Sequence, residues 1–287
     1  MAASEMAIGS AVAQLAREIA AAEAAGQEQS EPVPVCAACA DSGMVIDETP
    51  AAGDRGVSRM ARRCECTKAS AARRRVERAG IPRRYAEATL ANFRTAGADH
   101  SIALALGLAR GLAAEFPLIQ AGVRPGMLLS GTCGVGKTHL AAGLLRELVI
   151  ERGASGRFWD VGDLLVQLKR SFSRETGWGG DREAARSEGQ LFDEVSRVDV
   201  LVLDELGAQR ATDWSYDEIN LVLGARYNAN RLTVVTTNFV NAAPGAGKKS
   251  SAETLGDRIG ARTWSRLQEM CRPIEMLGAD FRIRRAG

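Results

Sequence analysis

Aromatic side chains are scarce in this sequence. Phe, Trp and Tyr together supply only 5% of 287 residues, so aliphatic groups must fill any core. No apolar run approaches the roughly 20 residues that a membrane-spanning helix needs, and no membrane association is expected. The opening residues, MAASEMAIGS, have neither a basic start nor a long apolar stretch. That argues against a secretory signal and for a cytoplasmic protein. Excess charge is also missing. A formal net charge of +2 does not mark the whole chain as a polyanion binder. Internal repeats are absent from the pattern. Cysteine is limited to 6 residues, of which Cys133 and Cys271 stand alone. The other four form two tight pairs, which suits a metal in a reducing compartment better than a disulfide framework.

The length allows one sizeable core and a small appendage. Three zones follow, over residues 1–30, 31–84 and 85–287. The first holds an alanine-rich helix on which Ile8, Val12, Leu15 and Ile19 form one apolar stripe. QEQSEPVP reads as a linker. The second contains CAAC, a loop rich in Gly and Asp, CEC, and a basic helix. From Arg55 to Arg84, eleven Lys and Arg face only Glu65 and Glu77. The rest of the chain is therefore net acidic. In the third zone, strand and helix alternate. Helices are predicted over 100–116, 137–151, 163–172, 184–195, 216–230 and 256–270. Strands are predicted at MLLS, RFWDV, DVLVL, LTVVTT and RPIEML, and a mobile loop over 241–253. Apolar strands separated by helices imply an α/β fold, a parallel sheet covered by helices on both faces.

GTCGVGKTHL carries G-x-x-x-x-G-K-[ST] between a predicted strand and a predicted helix, the context the motif requires. The loop residues Gly131, Thr132, Cys133, Gly134, Val135, Gly136, Lys137, Thr138 and His139 are the candidate nucleotide cradle. Glycines let backbone N–H groups converge on phosphate oxygens, and the helix N-terminus adds positive potential. Lys137 is expected to reach the β and γ phosphates, and Thr138 to help hold Mg²⁺. Cys133 sits at a variable position with no redox role expected. His139 reads as structural. VDVLVLDE supplies a buried strand ending in Asp204, which orients Mg²⁺, and Glu205, which polarises a water. No N-K-x-D guanine-reading motif follows, so ATP is the expected nucleotide. Asn238, after LTVVTT, either holds the attacking water or caps the next helix.

These segments resemble AAA+ P-loop ATPases of the DnaC, DnaI and IstB group, over residues 81–285. The resemblance implies ATP hydrolysis with Walker A at GTCGVGKT, Walker B at LVLDE and a first sensor at Asn238. LGDRIGARTWSRLQEM is similar to the segment that bears an arginine finger, with Arg266 at the matching position. GADFRIR is similar to the terminal segment that bears a second sensor, with Arg282 as the match. A finger at Arg266 implies homo-oligomers joined through ATP. Many relatives carry Asp-Asp where this chain has Asp204-Glu205.

Cys36, Cys39, Cys64 and Cys66 form a candidate Zn²⁺ site; free thiols in a loop-rich segment are the alternative. The cysteine segment, with GIPRRYAEATLANF behind it, resembles the zinc-bearing branch of helicase loaders. That likeness implies a protein that places a replicative DnaB-type hexameric helicase on single-stranded DNA. An IstB-like transposition helper that binds duplex DNA and a transposase is the alternative. Lys169, Arg170 and Arg174 near Trp178 fit a single-stranded DNA path, or an ordinary peripheral helical pair. The run Arg73, Arg74, Arg75 binds phosphates or forms a wet helix face. The opening helix docks on a helicase or packs on its own cysteine module.

Overall fold

The computed structural model describes residues 36–39, 42–50, 57–95, 99–117, 124–175, 191–209, 212–246 and 253–282. The predicted opening helix lies outside these residues, as do residues 184–190 of the predicted 184–195 helix. Two compact units divide the chain, Met1–Lys68 and Ala69–Gly287.

In the first unit, the segment between the cysteine pairs is not the loop expected from its Gly and Asp content. Strands β1 (Met44–Pro50) and β2 (Val57–Arg63) form an antiparallel hairpin. Asp47 pairs with Arg62 and Glu48 with Arg59 across it. Such cross-strand pairs of opposite charge favour one register. With so few apolar residues, this charge pattern hid the strands from a reading by hydrophobic periodicity. Helix α1 (Glu65–Ala79) follows directly, and from Ala69 onward it belongs to the second unit.

In the second unit, five parallel strands form one sheet. They are β3 (Gly126–Gly131), β4 (Gly156–Asp160), β5 (Val200–Asp204), β6 (Leu232–Thr237) and β7 (Cys271–Met276). Their spatial order is β4-β5-β6-β3-β7. Successive side chains enter opposite cores, as strand geometry requires. Met127, Leu129, Val200, Val202, Leu232 and Val234 enter one core, where helices α2 (His100–Glu115) and α3 (Lys137–Glu151) cover them. Leu128, Leu201, Leu203 and Val235 enter the other. There α4 (Val161–Glu175), helical residues 191–197 and α5 (Asp213–Asn228) pack, with α6 (Leu255–Ile259) and α7 (Ala261–Met270). Burial on both faces is what gave the central strands β3, β5 and β6 their apolar runs in the sequence.

The helix expected over 256–270 is instead two. Thr254 and Asp257 form a capping box that starts α6. Gly260 then adopts φ 80° and ψ 155°, a conformation that ends one helix and starts the next. Of the expected loop at 241–253, residues 247–252 lie outside the described residues. Thr254 is tied back to Ala243 and Gly245 to Asp257.

Arg226 on α5 was not anticipated by any motif. It is completely buried. Its guanidinium donates to the carbonyls of Val195, Val198 and Leu232 and to the Thr233 hydroxyl. Burial, then repulsion from Arg231, pull its pKa down to about 9, so it stays charged at neutral pH. The carbonyls it satisfies end the 191–197 helix, precede β5 and open β6. Arg226→Met, which leaves them unpaired, is expected to destabilise the chain by about 3–5 kcal/mol, measured by urea unfolding.

Candidate nucleotide-binding site and metal centre

The loop between β3 and α3 turns on Gly134 and Gly136, at φ 79° and 100°. Those values lie in the left-handed region, open to glycine at little cost. Gly136 caps α3 without a side-chain hydrogen bond, so no side chain of the cap competes for the first-turn N–H groups. An anion is their natural partner.

Lys137 opens α3 and is only 7% exposed. Its Nζ donates to the carbonyls of Gly131 and Thr132 at 2.8 and 2.7 Å and to Asn238 Oδ1 at 2.8 Å. These acceptors occupy the ammonium where a phosphate oxygen would. Burial pulls the Lys137 pKa down, opposed by attraction to Cys133, Asp204 and Glu205. Thr138 Oγ1 donates to Asp204 Oδ1 at 3.0 Å, so the two expected Mg²⁺ residues are already in contact. Asp204 is buried, and loss of solvent raises its pKa. Hydrogen bonds from Thr236 and Thr138 work the other way. A buried carboxylate that keeps two hydroxyl donors is a good seat for a divalent cation. Glu205 is exposed, with φ 58°, unusual for a residue with a Cβ.

The strand order explains why Asn238 meets Lys137. β6 lies between β3 and β5, so its carboxyl end falls between the phosphate loop and the acidic pair. Among the described residues, the next α-helix is capped by Thr254, not by Asn238. The segment that carries Arg282 meets the loop. Phe281 N–H donates to the Gly134 carbonyl, and the Arg282 charge bears on Lys137. Asp280 packs against Gly134 and accepts the Arg282 N–H at 2.8 Å. Cys133 is exposed. The His139 ring faces Asn92 and Phe93, in keeping with a structural part.

Arg266 is not beside this loop's contacts. Its guanidinium donates to Asn220 Oδ1 at 2.6 Å and to the Asn220 carbonyl at 3.3 Å, on α5 of the same chain. Arg258 is likewise engaged, with Gly207, Ala208 and Glu253. Arg262, on the same helix as Arg266, is exposed. Sequence reasoning also passed over Thr236, whose hydroxyl donates to Asp204 Oδ1 at 2.6 Å. The doubled threonine of LTVVTTN was its one visible sign.

In the first unit, hairpin pairing closes with Met44 opposite Arg63, and Cys64 N–H donates to the Gly43 carbonyl. This brings CAAC and CEC together although 24 residues separate them. The four Sγ atoms lie within 4.8 Å of one another, with Cys36–Cys64 at 3.7 Å and Cys39–Cys66 at 3.3 Å. Sulfur atoms bound tetrahedrally at about 2.3 Å stand about 3.8 Å apart, so the cluster fits one metal ion.

A parallel sheet in this order, with a phosphate loop, an Asp-Glu strand end and an asparagine between them that accepts from the loop lysine, defines a P-loop ATPase of the AAA+ type. Residues 123–284, more than half of the chain, match the family of IstB-like ATP binding proteins, and the chain belongs to that family. Among curated relatives, the replicative helicase loader DnaC of Escherichia coli strain K12 is 32% identical over 132 residues. The match covers 46% of this chain and 47% of that protein. The chain thus spans about half the length of the DnaC relatives it matches. A crystal structure of the DnaC helicase loader is similar at TM-score 0.54 and 28% identity, over 68% of this chain and 100% of that one. DnaI is similar at TM-score 0.51 and 25% identity, over 72% and 98%.

Lys137→Ala removes the only side-chain cation that opens α3. ATP affinity is expected to fall about tenfold to a hundredfold, the scale of charged hydrogen bonds, in titrations with a fluorescent nucleotide.

Proposed function

We propose that this protein uses ATP to place a replicative DnaB-type hexameric helicase on single-stranded DNA. The observation that supports this best is the 32% identity to DnaC over 132 residues. The assembled contacts of Lys137, Thr138, Asp204 and Asn238 are those an ATP site needs.

In this reading, the N–H groups of the 131–138 loop bind the phosphates. Lys137 exchanges its carbonyl partners for phosphate oxygens. Thr138 and Asp204 hold Mg²⁺, which supplies charge neutralisation on the transferring phosphoryl group. Glu205 takes the proton of the attacking water, and Asn238 orients that water while sensing Lys137. Arg282 faces the phosphates from the chain's own terminal segment. Arg266 serves as the finger of a neighbouring copy, which makes ATP a joint between protomers. To do so it must leave Asn220. Arg266→Ala is expected to bind ATP normally and lose hydrolysis; if Arg262→Ala loses hydrolysis and Arg266→Ala does not, the finger is Arg262.

Zn²⁺ at Cys36, Cys39, Cys64 and Cys66 would stabilise the first unit, whose hairpin leaves Met44, Ile46 and Met60 exposed. Metal analysis should find one zinc per chain, lost in Cys64→Ser. Single-stranded DNA would run along α4. There Lys169 and Arg170 are exposed, opposite buried Leu164 and Leu168. The side chain of Arg174 and all of Trp178 lie outside the described residues. Of the basic run on α1, Arg73 pairs with Glu77 and Arg75 with the Val149 carbonyl, while Arg74 is exposed.

The family match supports a second reading, an IstB-like helper that binds duplex DNA and a transposase. Phosphate release with each form of DNA, alongside helicase pull-down, separates the two. Loader action predicts helicase capture and stimulation by single strands. Stimulation by duplex alone, with no helicase capture, would favour the transposition helper.

A further inference from the structure

Thr236 lies at the carboxyl end of β6 and is 1% exposed. Its hydroxyl makes two bonds at once. It donates its hydrogen to Asp204 Oδ1 at 2.6 Å, and it accepts the Glu205 N–H at 3.0 Å. Its own carbonyl accepts the N–H of Leu206 at 2.9 Å. One residue therefore holds three consecutive positions of the neighbouring strand end. The middle one, Glu205, has a left-handed backbone at φ 58°. A residue with a Cβ keeps that conformation only when its surroundings impose it, and the Thr236 oxygen receives the very N–H that this twist redirects.

The adjacent Thr237 has a different task. Its hydroxyl donates to the Leu206 carbonyl at 2.8 Å and accepts the Phe239 N–H. It touches neither carboxylate, so the two threonines separate support of the turn from support of the acids.

Asp204 Oδ1 has two hydroxyl donors, Thr138 and Thr236. The phosphate-loop pattern assigns the Thr138 hydroxyl to Mg²⁺. Once Thr138 turns to the cation, Thr236 is the hydroxyl left to orient Asp204. Resting on the reading of this site as one for Mg²⁺ and ATP, we propose that Thr236 is a positioning residue for the reaction. It sets the Asp204 carboxylate toward the cation and fixes the Glu205 backbone that aims the general base. Because Asn238 follows two residues later on the same strand end, β6 joins the residue that senses Lys137 to the residue that orients both acids.

The test uses the full chain with Thr236→Val, which keeps the shape and removes the hydroxyl, and Thr236→Ser, which keeps the hydroxyl. Thr236→Ala replaces valine if the second methyl is not tolerated. The first measurement is affinity for a fluorescent non-hydrolysable ATP analogue with EDTA and with Mg²⁺. The second is phosphate release over a range of Mg²⁺ concentrations. In EDTA, Thr236→Val should match wild type. Its gain in affinity on adding Mg²⁺ should shrink about tenfold, with KM for ATP rising in step, and kcat at saturating ATP and Mg²⁺ should fall about tenfold to a hundredfold, the usual scale for a residue that orients a metal ligand. Thr236→Ser should restore both to within about threefold. Thr237→Val should lower stability without altering the Mg²⁺ gain. An unchanged Mg²⁺ gain in Thr236→Val overturns the proposal, and so does a serine variant as impaired as the valine one. A wild-type chain that releases no phosphate refutes the ATPase reading instead, and the Mg²⁺ binding comparison still decides Thr236.

Discussion

The order of three strands governs this molecule. β6 stands between the strand that feeds the phosphate loop and the strand that ends in Asp204. Its carboxyl end therefore touches both. Asn238 reaches back to Lys137 and Thr236 reaches across to Asp204. With β3 and β5 adjacent, the lysine and the acids would meet directly and no strand end could report on one to the other. In parallel α/β sheets, ligands gather at the carboxyl edge because loops and helix N-termini converge there. Here the convergence is sharpened by two complete cores, which leave the strand ends no freedom to shift.

Burial is used unevenly along that edge. Lys137 and Asp204 are nearly covered, and burial disfavours the charged form of each. Each is kept by hydrogen bonds: three acceptors on the lysine and two hydroxyl donors on the aspartate. Glu205 and Asn238 remain exposed, as groups that meet water should. The interior thus fixes Lys137 and Asp204, proposed to hold phosphate and cation, and solvent reaches Glu205 and Asn238, proposed to handle the nucleophile. Arg226 follows the same logic at the opposite edge, where one buried cation satisfies carbonyls from three segments.

The cysteine unit reaches order by another route. Its hairpin buries little, and its strands are matched by charge, Asp47 with Arg62 and Glu48 with Arg59. Antiparallel pairing delivers Cys64 to Gly43. A cluster of four thiols then forms where a larger protein would place apolar side chains, which is how small units without a core are commonly stabilised.

Much of this was legible in the chain alone. The phosphate loop, the Asp204-Glu205 strand end and α3 from Lys137 to Glu151 could be read directly, because glycine spacing and unbroken apolar runs are local signals. The four cysteines were legible as a set for the same reason. Tertiary structure decided the rest. The β1–β2 hairpin is held by charges that pair only once the chain folds back, and the break at Gly260 shows itself only in a backbone angle. Arg266 matched an arginine-finger position in the sequence, but its partner Asn220 is supplied only once α5 packs beside it. Arg226 carried no pattern at all, and Thr236 only a doubled threonine. Their importance comes from which strand lies next to which, and that adjacency is settled by packing many apolar faces at once, not by any short stretch of residues.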